Sequence, residues 1–255
     1  MRFRFSFLLG VVLIIGCFQN PGQLFREAEQ TSSEGNFQGA VALYSKLIRK
    51  YPNSPFSDRS LFRLGETYLL NLDDDRNALK YFQKIAEDSN NRDLKYQANV
   101  YMADIFLQSF RNYDLAIIQY QKLINEYGTP STDDDNQFKI AECYLLKGDC
   151  RQAIVEYHIL LEKYPASNLV MDAKFQMANC FYMMGNCGEA LDRYQALLDQ
   201  NMENPYSIDI QFGIGSCKEE QGDYQEAIRI FQKIKDQYPN RELLEMKIES
   251  LKNRV

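Results

Sequence analysis

The sequence has no tryptophan and a single histidine, His158, among its 255 residues. No Ser-His-Asp set, glycine-rich phosphate loop or metal cluster can be assembled from these residues. Lys and Arg number 29 against 35 Asp and Glu, so the formal net charge is −6. Nucleic-acid binding needs clustered basic residues, and this balance argues against it. We therefore predict a protein that is not an enzyme, binds no nucleic acid and needs no metal or cofactor.

The sequence also lacks an apolar run long enough to cross a bilayer. The apolar run over residues 5–15 has eleven residues, whereas a spanning helix needs about 20. Two arginines precede this run, so residues 1–16 are predicted to be a secretory signal peptide.

The end of this segment, "LIIGC", resembles the bacterial lipobox. The resemblance implies cleavage after Gly16 and a lipid on the Cys17 sulfur, with residues 17–22 as a tether. An ordinary secretory signal is the alternative. Residue 18 is Phe and not the Asp associated with inner-membrane retention, which favours the outer membrane, facing the periplasm.

A phrase of eighteen residues occurs near both ends of the chain, as "GNFQGAVALYSKLIRKYP" at 35–52 and "GDYQEAIRIFQKIKDQYP" at 222–239. Its central alanine recurs six times at intervals of 37 or 38 residues. An aromatic residue follows four positions later and Leu or Ile seven positions later, which is one apolar stripe of a helix. We call this helix B; its alanines are Ala40, Ala78, Ala116, Ala153, Ala190 and Ala227.

A second helix, A, precedes each B helix and carries its own small residue. These residues are Ala28, Gly65, Ala103, Ala141, Ala178 and Gly215. Between A and B, four repeats read Gly followed by Asn or Asp, which predicts a helix end and the N-cap of the next helix. Repeat 2 has Asp73-Asp74 at this point, and repeat 3 has Arg111-Asn112.

Six such units in register resemble the tetratricopeptide-repeat family over residues 23–239. The resemblance implies an all-α fold, a right-handed α-solenoid of six helix hairpins. The repeats are predicted at about 23–52, 58–90, 96–128, 134–165, 171–203 and 208–239. Residues 240–255 are predicted to form a C-terminal capping helix, which such arrays need because stacking is what stabilises each hairpin.

In this family the A helices line a concave groove, and a trio at i, i+4 and i+7 recurs on one face of these helices. The predicted partner groove consists of Phe62, Glu66, Leu69, Val100, Asp104, Leu107, Phe138, Glu142, Leu145, Phe175 and Tyr182. We expect the acids to meet Lys, Arg or a free amine of a basic partner segment. Core packing is the alternative for the phenylalanines.

Five cysteines beyond Cys17 follow the repeat. Cys143, Cys180 and Cys217 share one position in helix A, and Cys150 and Cys187 share another at the start of helix B. In an exported protein, disulfides could link residues within repeats (143–150, 180–187) or between repeats (150–180, 187–217). Either scheme leaves one thiol over, and small buried residues without bridges are the alternative.

The sequence thus predicts a lipid-anchored envelope scaffold that binds protein or peptide segments. Residues 22–70 resemble the outer-membrane β-barrel-assembly lipoprotein family, which implies a role in outer-membrane protein assembly. The later repeats are similar to the Tol-Pal-associated cell-division coordinator family, and a type IV pilus pilotin is a third candidate. A cell-wall hydrolase is the competing class, but almost no chain lies outside the repeats to form a catalytic cleft.

Overall fold

A computed structural model describes residues 20–128, 130–200 and 205–254. The predicted signal peptide and Cys17 lie outside these residues. All regular structure in the described residues is helical. None of the helices they form has the length and apolar character to cross a bilayer.

The helices pair as the repeat predicts, with an A helix followed by a B helix. The A helices are α1 (Pro21–Ser33), α3 (Pro55–Leu70), α5 (Arg92–Asp104), α7 (Pro130–Leu146), α9 (Val170–Met183) and α11 (Ser207–Glu220). The B helices are α2 (Phe37–Lys50), α4 (Asp75–Asp88), α6 (Tyr113–Lys122), α8 (Cys150–Lys163), α10 (Cys187–Gln200) and α12 (Tyr224–Ile234), and α13 (Arg241–Lys252) follows. Helix α1 begins two residues before the predicted repeat because the Asn20 side chain caps it, accepting from the Gln23 amide.

The described residues divide into two compact units, one that ends at Leu94 and one that begins at Lys95. In the first, α1 packs on α2, α2 on α3, and α3 on α4. In the second, consecutive helices pack in the same way from α6 to α13. These stacked antiparallel hairpins confirm the all-α tetratricopeptide-like fold.

The predicted stripe of each B helix is the core of its repeat, because alanine lets the A helix approach and the larger residues fill the space between helices. All of its members are buried: Ala40, Tyr44, Leu47, Ala78, Phe82, Ile85, Ala116, Tyr120, Leu123, Ala153, Tyr157, Leu160, Ala190, Tyr194, Leu197, Ala227, Phe231 and Ile234. In the last helix, Leu244, Ile248 and Leu251 are buried against α12.

Repeat 3 departs from regular helices at two places. Helix α5 continues as a π-helical segment, Ile105–Ser109, and α6 continues as another, Leu123–Tyr127. The repeat pattern does not predict either segment. Single π turns inside helices are frequent at functional sites.

The turn between A and B needs a left-handed residue in every repeat. Gly35, Gly148, Gly185 and Gly222 have φ of 74° to 80°, while Asp73 and Arg111 adopt φ of 53° and 50° in repeats 2 and 3. A side chain in this conformation crowds the following carbonyl oxygen and costs about 1–2 kcal/mol, with aspartate better tolerated than arginine.

Replacing Arg111 with glycine should therefore stabilise the protein by about 1 kcal/mol, because the substitution removes this strain. Urea denaturation followed by circular dichroism measures the change. Gly148→Ala is the matched control and should lower stability by a similar amount. An Arg111→Gly variant less stable than the parent would show that the arginine side chain stabilises the turn by more than the strain costs.

Candidate protein-binding face of the A helices

The acidic position predicted to face a partner is in part a hydrogen-bond acceptor for the protein's own core. Asp104 Oδ1 accepts from the Tyr120 hydroxyl at 2.6 Å. In repeat 1 the Tyr44 hydroxyl donates in the same way to Glu29. Repeat 5 has asparagine at this position, and Asn179 accepts from its own tyrosine. Each bond joins a B helix to the A helix of the same repeat.

Two packing types occur among the six repeats. Where the A helix carries Ala, the B helix carries Tyr, and where the A helix carries Gly, the B helix carries Phe. The pairs are Ala28 with Tyr44, Ala103 with Tyr120, Ala141 with Tyr157, Ala178 with Tyr194, Gly65 with Phe82 and Gly215 with Phe231. A Cβ at Gly65 would lie 2.6 Å from Phe82 Cε1, and one at Gly215 would lie 2.5 Å from Phe231 Cε1. In these two repeats the phenylalanine ring therefore occupies the space that the Cβ atom of an alanine in the A helix would need.

Burial and the nearby carboxylates change the acidity of these tyrosines. Burial is the main cause that raises the pKa of Tyr120 far above its usual value, and the hydrogen bond to Asp104 raises it further. The pKa of Tyr44 rises for the same reasons, with Glu29 as the acceptor. Burial also raises the pKa of Tyr157 and of Tyr194.

Glu66 and Glu142, the other two predicted acids, form ion pairs within their own helices. Glu66 Oε2 lies 2.7 Å from Arg63 Nη1, and Glu142 Oε2 lies 3.0 Å from Lys139 Nζ. Arg63 also reaches Glu29 of the neighbouring A helix, with 3.3 Å between Nε and Oε1. Such partly exposed pairs contribute little to stability, so a partner's charges can replace them at small cost.

Lys139 is the centre of a larger charge cluster. Burial disfavours its charged form, but the hydrogen bond to Glu142 and the charges of Asp135 and Asp104 outweigh burial and raise the pKa of Lys139. Burial raises the pKa of Asp135.

Two surface depressions occupy equivalent places in the two units. The first, of about 330 Å³, lies between α1 and α3 and includes Glu29, Arg63, Glu66 and Leu70 in its lining. The second, of about 410 Å³, lies beside α7 and is lined by Leu107, Gln108, Arg111, Tyr113, Lys139, Glu142 and Leu146. Arg63, Glu66 and Leu70 correspond in the repeat to Lys139, Glu142 and Leu146.

An apolar residue that sequence reasoning missed is exposed at the end of three A helices. Leu70, Leu146 and Met183 are the last residues of α3, α7 and α9, with exposures of 65%, 52% and 59%. They occupy the same repeat position, one residue after the predicted trio. The sequence could have predicted this exposure from an apolar residue at the last position of a helix, but only if the end of the helix were known.

The predicted groove is corrected at several positions. Phe62 and Phe175 are buried, Phe62 against the edge of Phe82 and Phe175 stacked on Tyr206, so they belong to the core. Leu107 is also buried and forms part of the floor of the second depression. The remaining apolar members are half-buried: Leu69, Val100, Phe138, Leu145 and Tyr182.

In the structure none of the five described cysteines is bridged, and all five are buried. The single histidine, His158, is exposed on α8.

These features define a helical-repeat protein whose A helices carry exposed apolar residues beside charged groups. Tetratricopeptide-repeat models match residues 32–93, 135–167 and 169–240, which together make up more than half of the chain. The chain therefore belongs to the tetratricopeptide-repeat proteins. Proteins of this architecture present repeat surfaces that bind other proteins or peptides.

Several solved structures share the fold. A tetratricopeptide repeat protein from Parabacteroides merdae is 18% identical, with a TM-score of 0.64 over 92% of this chain and 88% of that one. PilW, a widely conserved type IV pilus biogenesis factor, is 13% identical, with a TM-score of 0.56 over 89% and 98%. YrrB, which has an unusual peptide-binding site, is 18% identical, with a TM-score of 0.50 over 72% and 88%. No curated protein matches the sequence significantly.

Proposed function

We propose that this protein is a non-enzymatic scaffold, lipid-anchored through Cys17 in the cell envelope, that binds segments of partner proteins on its A-helix face. The observation that carries the binding proposal is the exposure of a large apolar residue at one repeat position, Leu70 in the first unit and Leu146 and Met183 in the second. Repeated exposure of large apolar side chains beside charged groups is typical of a protein-binding surface.

The two depressions favour partner segments with an apolar side chain between charged residues. In the first depression two carboxylates, Glu29 and Glu66, surround one guanidinium, so a basic residue of the partner fits there. In the second, Arg111 adds a cation beside the Lys139–Glu142 pair, so an acidic residue fits next to the apolar contact with Leu146.

Outer-membrane protein assembly is the first candidate for the pathway, supported by the resemblance of residues 22–70 to the β-barrel-assembly lipoprotein family. Type IV pilus biogenesis is the second candidate. PilW, a type IV pilus biogenesis factor, suggests this candidate because it shares the fold over 98% of its own length. Constriction of the cell envelope is the third.

Affinity capture from detergent-solubilised envelopes, with tagged full-length protein, tests the proposal. Leu146→Asp should reduce capture of the specific partner at least tenfold, because burying one leucine contributes about 1.5–3 kcal/mol and about 1.4 kcal/mol corresponds to a factor of ten. Val155→Asp is the matched control, since Val155 is an aliphatic residue of similar exposure, 48%, on the B helix of the same repeat. It should leave capture unchanged.

The partners retained by the parent but lost with Leu146→Asp identify the pathway. Outer-membrane assembly factors would support the first candidate, pilus components the second and division proteins the third. Equal capture by Leu146→Asp and the parent, with both variants folded by circular dichroism, would refute binding at the A-helix face.

A further inference from the structure

The cysteines of repeats 4 to 6 meet in two equivalent pairs. Cys150, the first residue of α8, lies in the same buried cluster as Cys180 of α9. Cys187, the first residue of α10, shares the next cluster with Cys217 of α11. The helices that carry each pair pack on each other, α8 on α9 and α10 on α11.

The alternative pairing within repeats does not fit this arrangement. Cys143 belongs to a different cluster from Cys150, and Cys180 belongs to a different cluster from Cys187. The two pairs that do meet have the same sequence separation, 150 to 180 and 187 to 217. Each pair therefore joins the start of a B helix to the A helix of the next repeat.

The same geometry explains why the number of cysteines beyond Cys17 is odd. In repeat 3, Tyr113 is the first residue of α6 and takes the position that Cys150 and Cys187 hold in the following repeats. By the same pairing, Cys143 of α7 would face Tyr113, so Cys143 has no second thiol with which to form a disulfide. It is packed instead among the apolar residues of its own cluster.

We propose that Cys150–Cys180 and Cys187–Cys217 are sites of disulfide formation that tie repeat 4 to repeat 5 and repeat 5 to repeat 6, with Cys143 left as a thiol. The proposal that these bonds exist in the cell rests on the envelope location proposed above, because disulfides persist in oxidising compartments.

The chemistry is thiol–disulfide exchange with an oxidised dithiol carrier or glutathione disulfide. One cysteine thiolate attacks the carrier disulfide, releases one carrier thiol and forms a mixed disulfide. The second thiolate attacks the protein sulfur of that mixed disulfide and expels the second carrier thiol. The protein loses two protons and two electrons for each bond, and the carrier gains both.

Burial determines when this exchange can occur. Burial raises the pKa of Cys180 to about 12 and also raises the pKa of Cys187 and Cys217. The Cys187 thiol also donates to Glu220 Oε2 at 3.2 Å, and this carboxylate further disfavours its thiolate. Thiolates are the reactive species, so the bonds form during folding, while the cysteines are still exposed, and exchange slowly afterwards.

Full-length protein purified from envelopes without reductant, denatured and alkylated, tests the pairing by peptide mass spectrometry. We expect the alkyl group on Cys143 and linked peptides for 150–180 and 187–217. Cys180→Ala should expose Cys150 to alkylation and leave the 187–217 link intact, and Cys143→Ala should change neither link. Links at 143–150 or 180–187 would overturn the pairing.

A second experiment tests the cysteine pairing independently of the proposed envelope location. Reduced, denatured protein is refolded in a mixture of reduced and oxidised glutathione and mapped in the same way. Formation of both links there but not in envelope-purified protein would support the pairing and refute the oxidising location. Absence of both links in both samples would overturn the disulfide proposal, whereas capture of partners at the A-helix face would be unaffected.

Discussion

Raising the pH to about 11 should remove about 5 to 6 kcal/mol of stability, because four buried tyrosines stay protonated in the native state while the unfolded chain ionises. The four are Tyr44, Tyr120, Tyr157 and Tyr194, whose pKa burial raises well above the usual value of 10.0. Their contribution is fully present below pH 10 and is lost as the pH rises toward the native-state pKa values. Since a domain typically has 5–15 kcal/mol in total, alkaline unfolding is expected near this pH.

The measurement is the free energy of unfolding in urea from neutral pH to about pH 11, together with ultraviolet absorbance of tyrosinate. Tyr120→Phe is the matched variant. At neutral pH it should cost about 1 kcal/mol, because the Asp104 carboxylate loses its donor. Above pH 10 the free energy of unfolding of the variant should fall less steeply with pH than that of the parent, because one tyrosine fewer ionises when the variant unfolds. Parallel slopes for the parent and the variant would contradict the predicted ionisation of Tyr120.

Phe82→Ala should destabilise the first unit by about 3–5 kcal/mol, the usual cost of removing a fully buried phenylalanine. The ring fits against the backbone at Gly65 and lies 5.7 Å from the ring of Phe62. A backbone surface cannot move in to refill the cavity as a flexible side chain would, so we expect a value toward the upper end of this range.

Phe110→Ala is the control for this substitution, since Phe110 is 40% exposed. It should change stability by about 0.5 kcal/mol or less. Without tryptophan in the chain, circular dichroism in urea is the suitable probe. A cost below about 1 kcal/mol for Phe82→Ala would show that the Gly–Phe contact does not organise the first unit.

The sequence alone predicts the hairpins and their buried stripe because those features depend only on helical periodicity. Ala116, Tyr120 and Leu123 are buried as the spacing requires. The left-handed conformation of Arg111 follows from the same alignment, since arginine stands where four other repeats have glycine.

The candidate site was predicted less well because its properties depend on side-chain reach. Periodicity places Asp104 on the correct face, but it cannot show that Tyr120 extends far enough to donate to it. The exposure of Leu146 depends on where α7 ends, and helix ends are poorly defined by pattern. The choice among cysteine pairings likewise required knowing which helices meet.

Because the tyrosine donor and its acceptor belong to the same hairpin, only 15 or 16 residues apart, each bond is self-contained. Whole hairpins can therefore be duplicated, deleted or exchanged between arrays without leaving a buried hydroxyl without its acceptor. A cut in the middle of a hairpin would separate the two groups. The array can therefore lengthen by duplication of a gene segment that encodes one complete hairpin. A hairpin with the glycine–phenylalanine contact can be duplicated in the same way, because both of its residues also lie in one hairpin.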